Sequence, residues 1–152
     1  MEHHEHDYRK EYEFLDHTAD AKFLAHGHTL EGAFSNAAKA MFSIVVEPDQ
    51  LSSKVKHTIH VEGHDEKALL YNFLEELLFL LDKEFFGMKD VRSMEITHHE
   101  TLVKLDAIVV GQRINDDIET GEHVKAITYN EMEIVRHEHP QKGVTVQVVL
   151  DL

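Results

Sequence analysis

The strongest constraint on the fold is a leucine-rich stretch in the middle of the chain, LLYNFLEELLFLLD. Its apolar residues recur three and four positions apart, as on one face of an α-helix: Leu69, Leu70, Phe73, Leu74, Leu77, Leu78 and Leu81. Phe79 and Leu80 widen this face, so the helix, predicted over 65–82, should be buried on most sides. Burying one such side chain contributes about 1.5–3 kcal/mol, so this helix should contribute most to the core.

A second apolar stripe predicts a helix over 29–45. Thr29 is suited to cap its first turn, and Glu31 places a negative charge there. Pro48 marks its end. The stripe consists of Leu30, Ala33, Phe34, Ala37, Ala38, Met41, Phe42 and Val45.

Alternation of apolar and polar residues indicates β-strands in the rest of the chain. The predicted strands are 12–15, 21–25, 54–62, 91–97, 101–110, 123–135 and 143–152. The order β-β-α-β-α-β-β-β-β predicts a single α+β domain, with two helices packed on a largely antiparallel β-sheet. We expect residues 1–11, which are rich in histidine and acidic residues, to form a flexible arm before a domain over 12–152.

Charge and composition limit the possible partners. The formal net charge of −14 repels phosphate backbones, so direct nucleic-acid binding is not expected, and a role near RNA should pass through a partner or a bound cation. The chain has no cysteine, which excludes disulfides and thiolate zinc sites. It also has no membrane-length apolar run and no signal-peptide pattern. These features favour a soluble cytoplasmic protein.

The short sequence DHTAD, residues 16–20, places Asp16, His17 and Asp20 between two predicted strands. Either aspartate could cap a backbone N–H group in a turn. Clustered carboxylates also form sites for Ca²⁺ or Mg²⁺. The residues alone leave both interpretations open.

Two more charged residues lie in apolar surroundings. Asp151 is the second-to-last residue of the run VTVQVVLDL, which should hold the chain in the sheet as far as Leu152. The side-chain carboxylate of Asp151 and the main-chain carboxylate of Leu152 would then require a cation or a basic partner. Lys125 lies in a predicted strand, where it should share a face with Ile127 and Tyr129. It is either a solvated edge residue or a fixed positive charge beside the carboxylates.

Other motifs give little support for catalysis. Glycine-rich phosphate loops and the GxSxG motif are absent, and no nucleophile is apparent. A metal-dependent hydrolase using Asp16, Asp20 and Asp151 is one alternative, and a chaperone-like binding protein is another. Histidines two residues apart could bind zinc, but no third ligand is apparent and nearly all should be solvated. These pairs are His4/His6, His26/His28 and His137/His139.

Five stretches in order, YEFLDHTAD, TLEGAFSNAAKAMF, LLYNFLEELLFLLD, VKAITY and VVLDL, make the chain similar to the archease family from Tyr12 to Leu152. The resemblance implies a non-catalytic partner of the RtcB-type RNA ligase, which acts in tRNA splicing and RNA repair. Such a partner promotes guanylylation of the ligase and its multiple turnover.

The resemblance also implies roles for individual residues. Asp20, Asp151 and Leu152 would bind a divalent cation, with calcium expected and magnesium or manganese as alternatives. Lys125 would belong to the functional surface, with Asp16 and His17 shaping the neighbouring turn. The chain departs from the family pattern at two places, which puts the periphery of the site in doubt. It has Asn130 where a histidine is usual, and Gln112 and Arg113 where a nearby glutamate is expected.

Overall fold

The computed structural model describes residues 10–16, 20–139 and 141–152. Most of the predicted N-terminal arm, including His4 and His6, and also His17 lie outside these residues. The elements in chain order are β1 (Tyr12–Leu15), β2 (Ala21–Gly27), α1 (Leu30–Val45), β3 (Val55–Gly63), α2 (Glu66–Glu84), β4 (Phe86–His98), β5 (Val103–Arg113), β6 (Ala126–His137) and β7 (Gly143–Asp151). This order confirms the predicted α+β class.

The strands are divided between two antiparallel sheets. One sheet has the order β1-β2-β7-β6, and the other has the order β3-β5-β4. Helix α1 packs on β2, β7 and β4, and α2 packs on β3 and β6, so each helix contacts both sheets. Neither helix of the described ranges has the length and apolar character needed to cross a bilayer.

Both helices begin with the side-chain caps that their sequences favour. The Thr29 hydroxyl accepts a hydrogen bond from the Gly32 N–H at 3.1 Å, and the Asp65 carboxylate accepts one from the Ala68 N–H at 2.8 Å. Each bond satisfies a donor that the first helical turn would leave unpaired. The predicted helix starts are therefore confirmed.

The core lies where the two helices meet the sheets. Phe34 of α1 and Phe73 of α2 are fully buried, and their rings stack with centroids 6.5 Å apart. Phe79 departs from the expectation for α2, because 52% of it is exposed. The Lys83 ammonium lies 5.3 Å from the centroid of the Phe79 ring, a cation–π arrangement that suits a ring at the surface. The prediction that α2 is buried on most sides is therefore wrong on this face.

Helix α2 ends at a residue with a left-handed backbone. Phe85 has φ 57° and ψ 28°, and its N–H donates to the carbonyl oxygen of Leu80. This conformation is usually taken by glycine, and another residue there costs on the order of 1–2 kcal/mol. Strand β4 begins immediately afterwards, at Phe86, upstream of the predicted start at residue 91.

Glu66 connects the start of α2 to both sheets. Its carboxylate accepts two hydrogen bonds from the Arg136 guanidinium of β6, at 2.9 and 2.6 Å, and lies 2.7 Å from Nε2 of His98 in β4. The hydrogen bonds from Arg136 are the main reason why the pKa of Glu66 lies below its ordinary value. A lowered carboxyl pKa stabilises the fold above the unfolded-state pKa, and this contribution is lost as the pH falls through the folded-state pKa.

Replacing Glu66 with glutamine should lower the free energy of unfolding at pH 7 by about 1–2 kcal/mol, a modest loss because solvent screens the partly exposed carboxylate. The difference from wild type should shrink below about pH 4.3, the ordinary glutamate pKa. Urea denaturation at pH 7 and pH 3 measures both values. Glu95→Gln, at an exposed position in β4, is the control and should leave stability unchanged. A difference that persists undiminished at pH 3 would contradict the ion-pair explanation.

Candidate functional site

The four-stranded sheet brings the predicted site residues to one of its ends. Strands β2 and β7 pair with Ala21 opposite Leu150. Asp20 directly precedes β2 and Asp151 is the last residue of β7, so each lies one residue beyond this pair at the same end of the sheet. Asp16 follows directly after β1, whose last residue pairs with β2 beside Ala21, so it lies at the same end.

The main chain of Lys125 is hydrogen-bonded at this end of the sheet. Its N–H donates to the carbonyl oxygen of Asp151 at 2.8 Å, and the next residue, Ala126, pairs with Asp151 in the sheet. Lys125 therefore lies just before β6 instead of within it, which corrects the predicted strand boundary. Its side chain is exposed, as is that of Asp151, whereas Asp20 and Leu152 are half-buried.

The segment before β6 is hydrogen-bonded to the end of α1. The Gly121 N–H donates to the carbonyl oxygen of Val45 at 2.7 Å. A Cβ atom on Gly121 would lie 2.5 Å from the carbonyl oxygen of Ile44, so only glycine permits this close approach. The end of α1 thereby fixes the path of the chain into Lys125.

Strand β6 leaves the regular ladder soon after the site. Thr128 pairs with Val149 and Glu133 pairs with Gln147, so residues 129–132 face only Val148. Glu131, inside this bulge, has φ 57°. The bulge explains why the prediction of one shared face fails beyond Thr128.

Tyr129 shows the effect of the bulge on side chains. Its ring stacks on that of Tyr71 in α2, with centroids 4.4 Å apart and planes inclined by 3°. Tyr129 is 52% exposed, whereas Ile127 is 4% exposed, so the two residues do not share one environment. The stack joins the sheet to α2 beside the site.

The predicted cation ligands supply only oxygen atoms. Oxygen atoms are the ligands that Ca²⁺, Mg²⁺ and Mn²⁺ prefer, so the chemistry of the Asp20 and Asp151 carboxylates and a main-chain oxygen of Leu152 fits a hard divalent cation. Over residues 10–16, 20–139 and 141–152, no three histidine, aspartate or glutamate side chains are grouped for a metal ion. The predicted set has two such side chains and takes its third oxygen from the main chain of Leu152.

Two histidines form a polar cluster elsewhere on the same sheet. His26 is 3% exposed, and its Nδ1 lies 2.9 Å from the Thr145 hydroxyl. Nε2 of His137 lies 2.8 Å from the same hydroxyl. The expectation that nearly all histidines are solvated is wrong for His26, because the pairing of β2 with β7 covers it. His28 and His139 are exposed, as expected.

Sequence comparison relates the chain to one known protein family. The model of the archease protein family matches residues 12–152, nearly the whole chain. The chain belongs to the archease family. The similarity indicated by the five sequence stretches is thus confirmed.

Archease relatives match over most of their own length as well. The protein archease of Methanosarcina acetivorans is 35% identical over 144 residues, which cover 94% of this chain and 97% of that protein. The archease of Pyrococcus abyssi is 39% identical over 126 residues, covering 82% and 88%. The archease of Danio rerio is 32% identical over 141 residues, covering 91% and 86%.

The archease fold is also shared with a solved structure. The solution structure of Methanobacterium thermoautotrophicum protein 1598 is 34% identical in sequence and has a TM-score of 0.80. The match covers 93% of this chain and 99% of that one. The arrangement of two helices and two antiparallel sheets therefore extends to an experimentally determined relative.

Proposed function

We propose that this archease is a non-catalytic activator of the RtcB-type RNA ligase in tRNA splicing and RNA repair. It promotes guanylylation of the ligase and multiple turnover. The observation that supports the proposal is the β2–β7 pairing, which ends with Ala21 opposite Leu150, so that Asp20 and Asp151 each lie one residue beyond the last pair. The main chain of Lys125 is hydrogen-bonded to Asp151 at the same end.

The oxygen atoms at this end of the four-stranded sheet are suited to a cation that is shared with a partner protein. Ca²⁺ takes six to eight oxygen ligands, more than Asp20, Asp151 and a main-chain oxygen of Leu152 provide. The remaining positions are open to water or to oxygen atoms of the ligase. The exposed ammonium of Lys125 is suited to contact a phosphate of the nucleotide or a carboxylate of the ligase.

Overall charge also supports a protein partner. The net charge of −14 opposes direct binding to RNA but favours association with a basic, RNA-binding enzyme. A metal-dependent hydrolase using Asp16, Asp20 and Asp151 would instead need a general base and a pocket that holds substrate beside the metal-bound water. The two functions are separable, because a hydrolase acts alone and an activator requires the ligase.

Multiple-turnover RNA ligation by the RtcB-type ligase of the same organism tests the proposal. Wild-type protein should increase the number of turnovers, and Asp20→Ala, Lys125→Ala and Asp151→Ala should each reduce that stimulation at least about tenfold, since each removes a charge from the proposed contact. Asp106→Ala and Lys104→Ala are matched controls. Both residues are exposed or half-exposed on β5 of the other sheet, and their variants should stimulate as wild type does.

The other outcomes are equally informative. If folded wild-type protein fails to stimulate the ligase, the activator function is wrong, and assays for hydrolysis by the protein with metal alone become the next step. If stimulation survives all three site substitutions, the activating surface lies elsewhere on the molecule.

A further inference from the structure

A second feature of interest is a groove between the end of α2 and the segment that follows β5. It encloses about 260 Å³ and is lined in part by Leu81, Phe85, Ile114 and His123. A neighbouring recess shares Phe85 and Ile114 and extends to Arg113. We refer to the two together as the Phe85 groove.

The ring of Phe85 is the main apolar surface of this groove. It is 51% exposed, and the guanidinium of Arg113 lies 5.2 Å from its centroid. The residue also holds a left-handed backbone that glycine would adopt without strain. A half-exposed aromatic ring at a strained position is not explained by the stability of the fold. Strained residues of this kind occur frequently where a protein binds another molecule.

The charges around the groove indicate the chemistry of its occupant. Asp82, Asp116 and Glu122 line it and are all exposed, whereas Arg113 lies against the Phe85 ring. An acidic rim around an apolar floor is complementary to a basic segment that carries an apolar side chain. A second copy of this chain is a poor occupant, because its own net charge is −14.

A short stretch of chain, residues 121–125, connects the groove to the proposed cation end. Val45, at the end of α1, lines the groove and accepts the hydrogen bond from Gly121. Glu122 and His123 continue the wall, and the same segment then reaches Lys125. A partner bound at Lys125 and Asp151 would therefore have the groove within reach of a neighbouring segment.

We infer that the Phe85 groove binds a basic segment of the ligase, with an apolar side chain packed against Phe85 and Ile114. Lysine or arginine residues beside that side chain pair with Asp82, Asp116 and Glu122. This inference rests on the proposed function, because it takes the RtcB-type ligase as the partner. It adds a second contact that supplies affinity, distinct from the cation end.

The test measures the Kd between the ligase and each variant. Phe85→Gly suits the left-handed backbone and should raise the Kd at least about tenfold, as loss of a central aromatic contact does. Phe79→Ala is the matched control, because Phe79 is also half-exposed beside a cation, and its Kd should stay within about twofold of wild type.

The acidic rim is tested separately with the double variant Asp116→Lys/Glu122→Lys. Its Kd should rise at low salt, and its difference from wild type should diminish at high salt, where charges are screened. Circular dichroism confirms that each variant is folded.

Each remaining outcome would contradict either the groove inference alone or the proposed function together with it. If wild type binds and activates the ligase and Phe85→Gly does so equally well, the groove is not a contact, and the activator function stands. If Phe79→Ala weakens binding as much as Phe85→Gly, the effect is not specific to the groove and the inference fails. If wild type neither binds nor activates the ligase, the proposed function and this inference fall together.

Discussion

Replacing Phe73 with alanine should lower the free energy of unfolding by about 3–5 kcal/mol, the range found when a buried aromatic ring is removed from a core. Phe73 is fully buried on α2 and stacks on Phe34 of α1. Because both helices contact both sheets, the vacated space lies where all the layers meet. Such a site has little freedom to collapse around a smaller side chain.

Urea denaturation followed by circular dichroism measures this loss. Phe79→Ala is the control, since its ring is 52% exposed on the same helix. It should cost less than about 1 kcal/mol, chiefly through its cation–π contact with Lys83. Equal losses for the two variants would show that burial does not determine the contribution of α2 to stability.

Asp151→Asn should weaken calcium binding by more than about tenfold, because an amide replaces one of only two carboxylate side chains in the proposed ligand set. The substitution preserves size and leaves the main-chain pairing of Asp151 with Ala126 and Lys125 intact. The change should therefore appear in cation affinity and not in the stability of the cation-free protein.

Isothermal titration calorimetry with calcium, magnesium and manganese chlorides measures the affinity. Asp106→Asn is the control, since the side chain of Asp106 is 61% exposed on β5, in the other sheet. Wild-type protein that binds none of the three ions would refute a cation site. Unchanged binding by Asp151→Asn would place the ligands elsewhere.

The helices were predictable because local patterns determine them. The apolar stripes, Pro48 and the Thr29 cap each depend on residues close together in the sequence, and the Thr29 cap forms as expected. Asp65 caps α2 in the same way. The end of α2 could not be predicted in this way. The position with the left-handed backbone is occupied by Phe85 and not by the glycine that usually indicates a helix end. The groove built on Phe85 was therefore not foreseen.

The order of the strands in each sheet depends on which strands pair with each other. The alternation of apolar and polar residues along the sequence does not determine this pairing. A period of two identifies a strand but not its neighbour, so the division into two sheets could not be predicted. The burial of His26 beside Thr145, 119 residues away in the sequence, has the same cause. Asp20, Asp151 and Lys125 were singled out from the sequence and given roles by the family resemblance, but only the β2–β7 and β6–β7 pairing explains their proximity.

The pairing of β2 with β7 has a consequence for the order of folding. The strands and helix of the β3-β5-β4 sheet lie within one stretch, residues 55–113, and can associate early through short loops. Strand β2 can pair locally with β1, but its pairing with β7 joins residues more than a hundred positions apart, such as His26 and Thr145, which are separated by 119. Asp20 and Asp151 meet only when that last pairing is complete. The proposed cation end therefore forms only in the fully folded protein, and a ligase that recognised it would not bind partly folded chains.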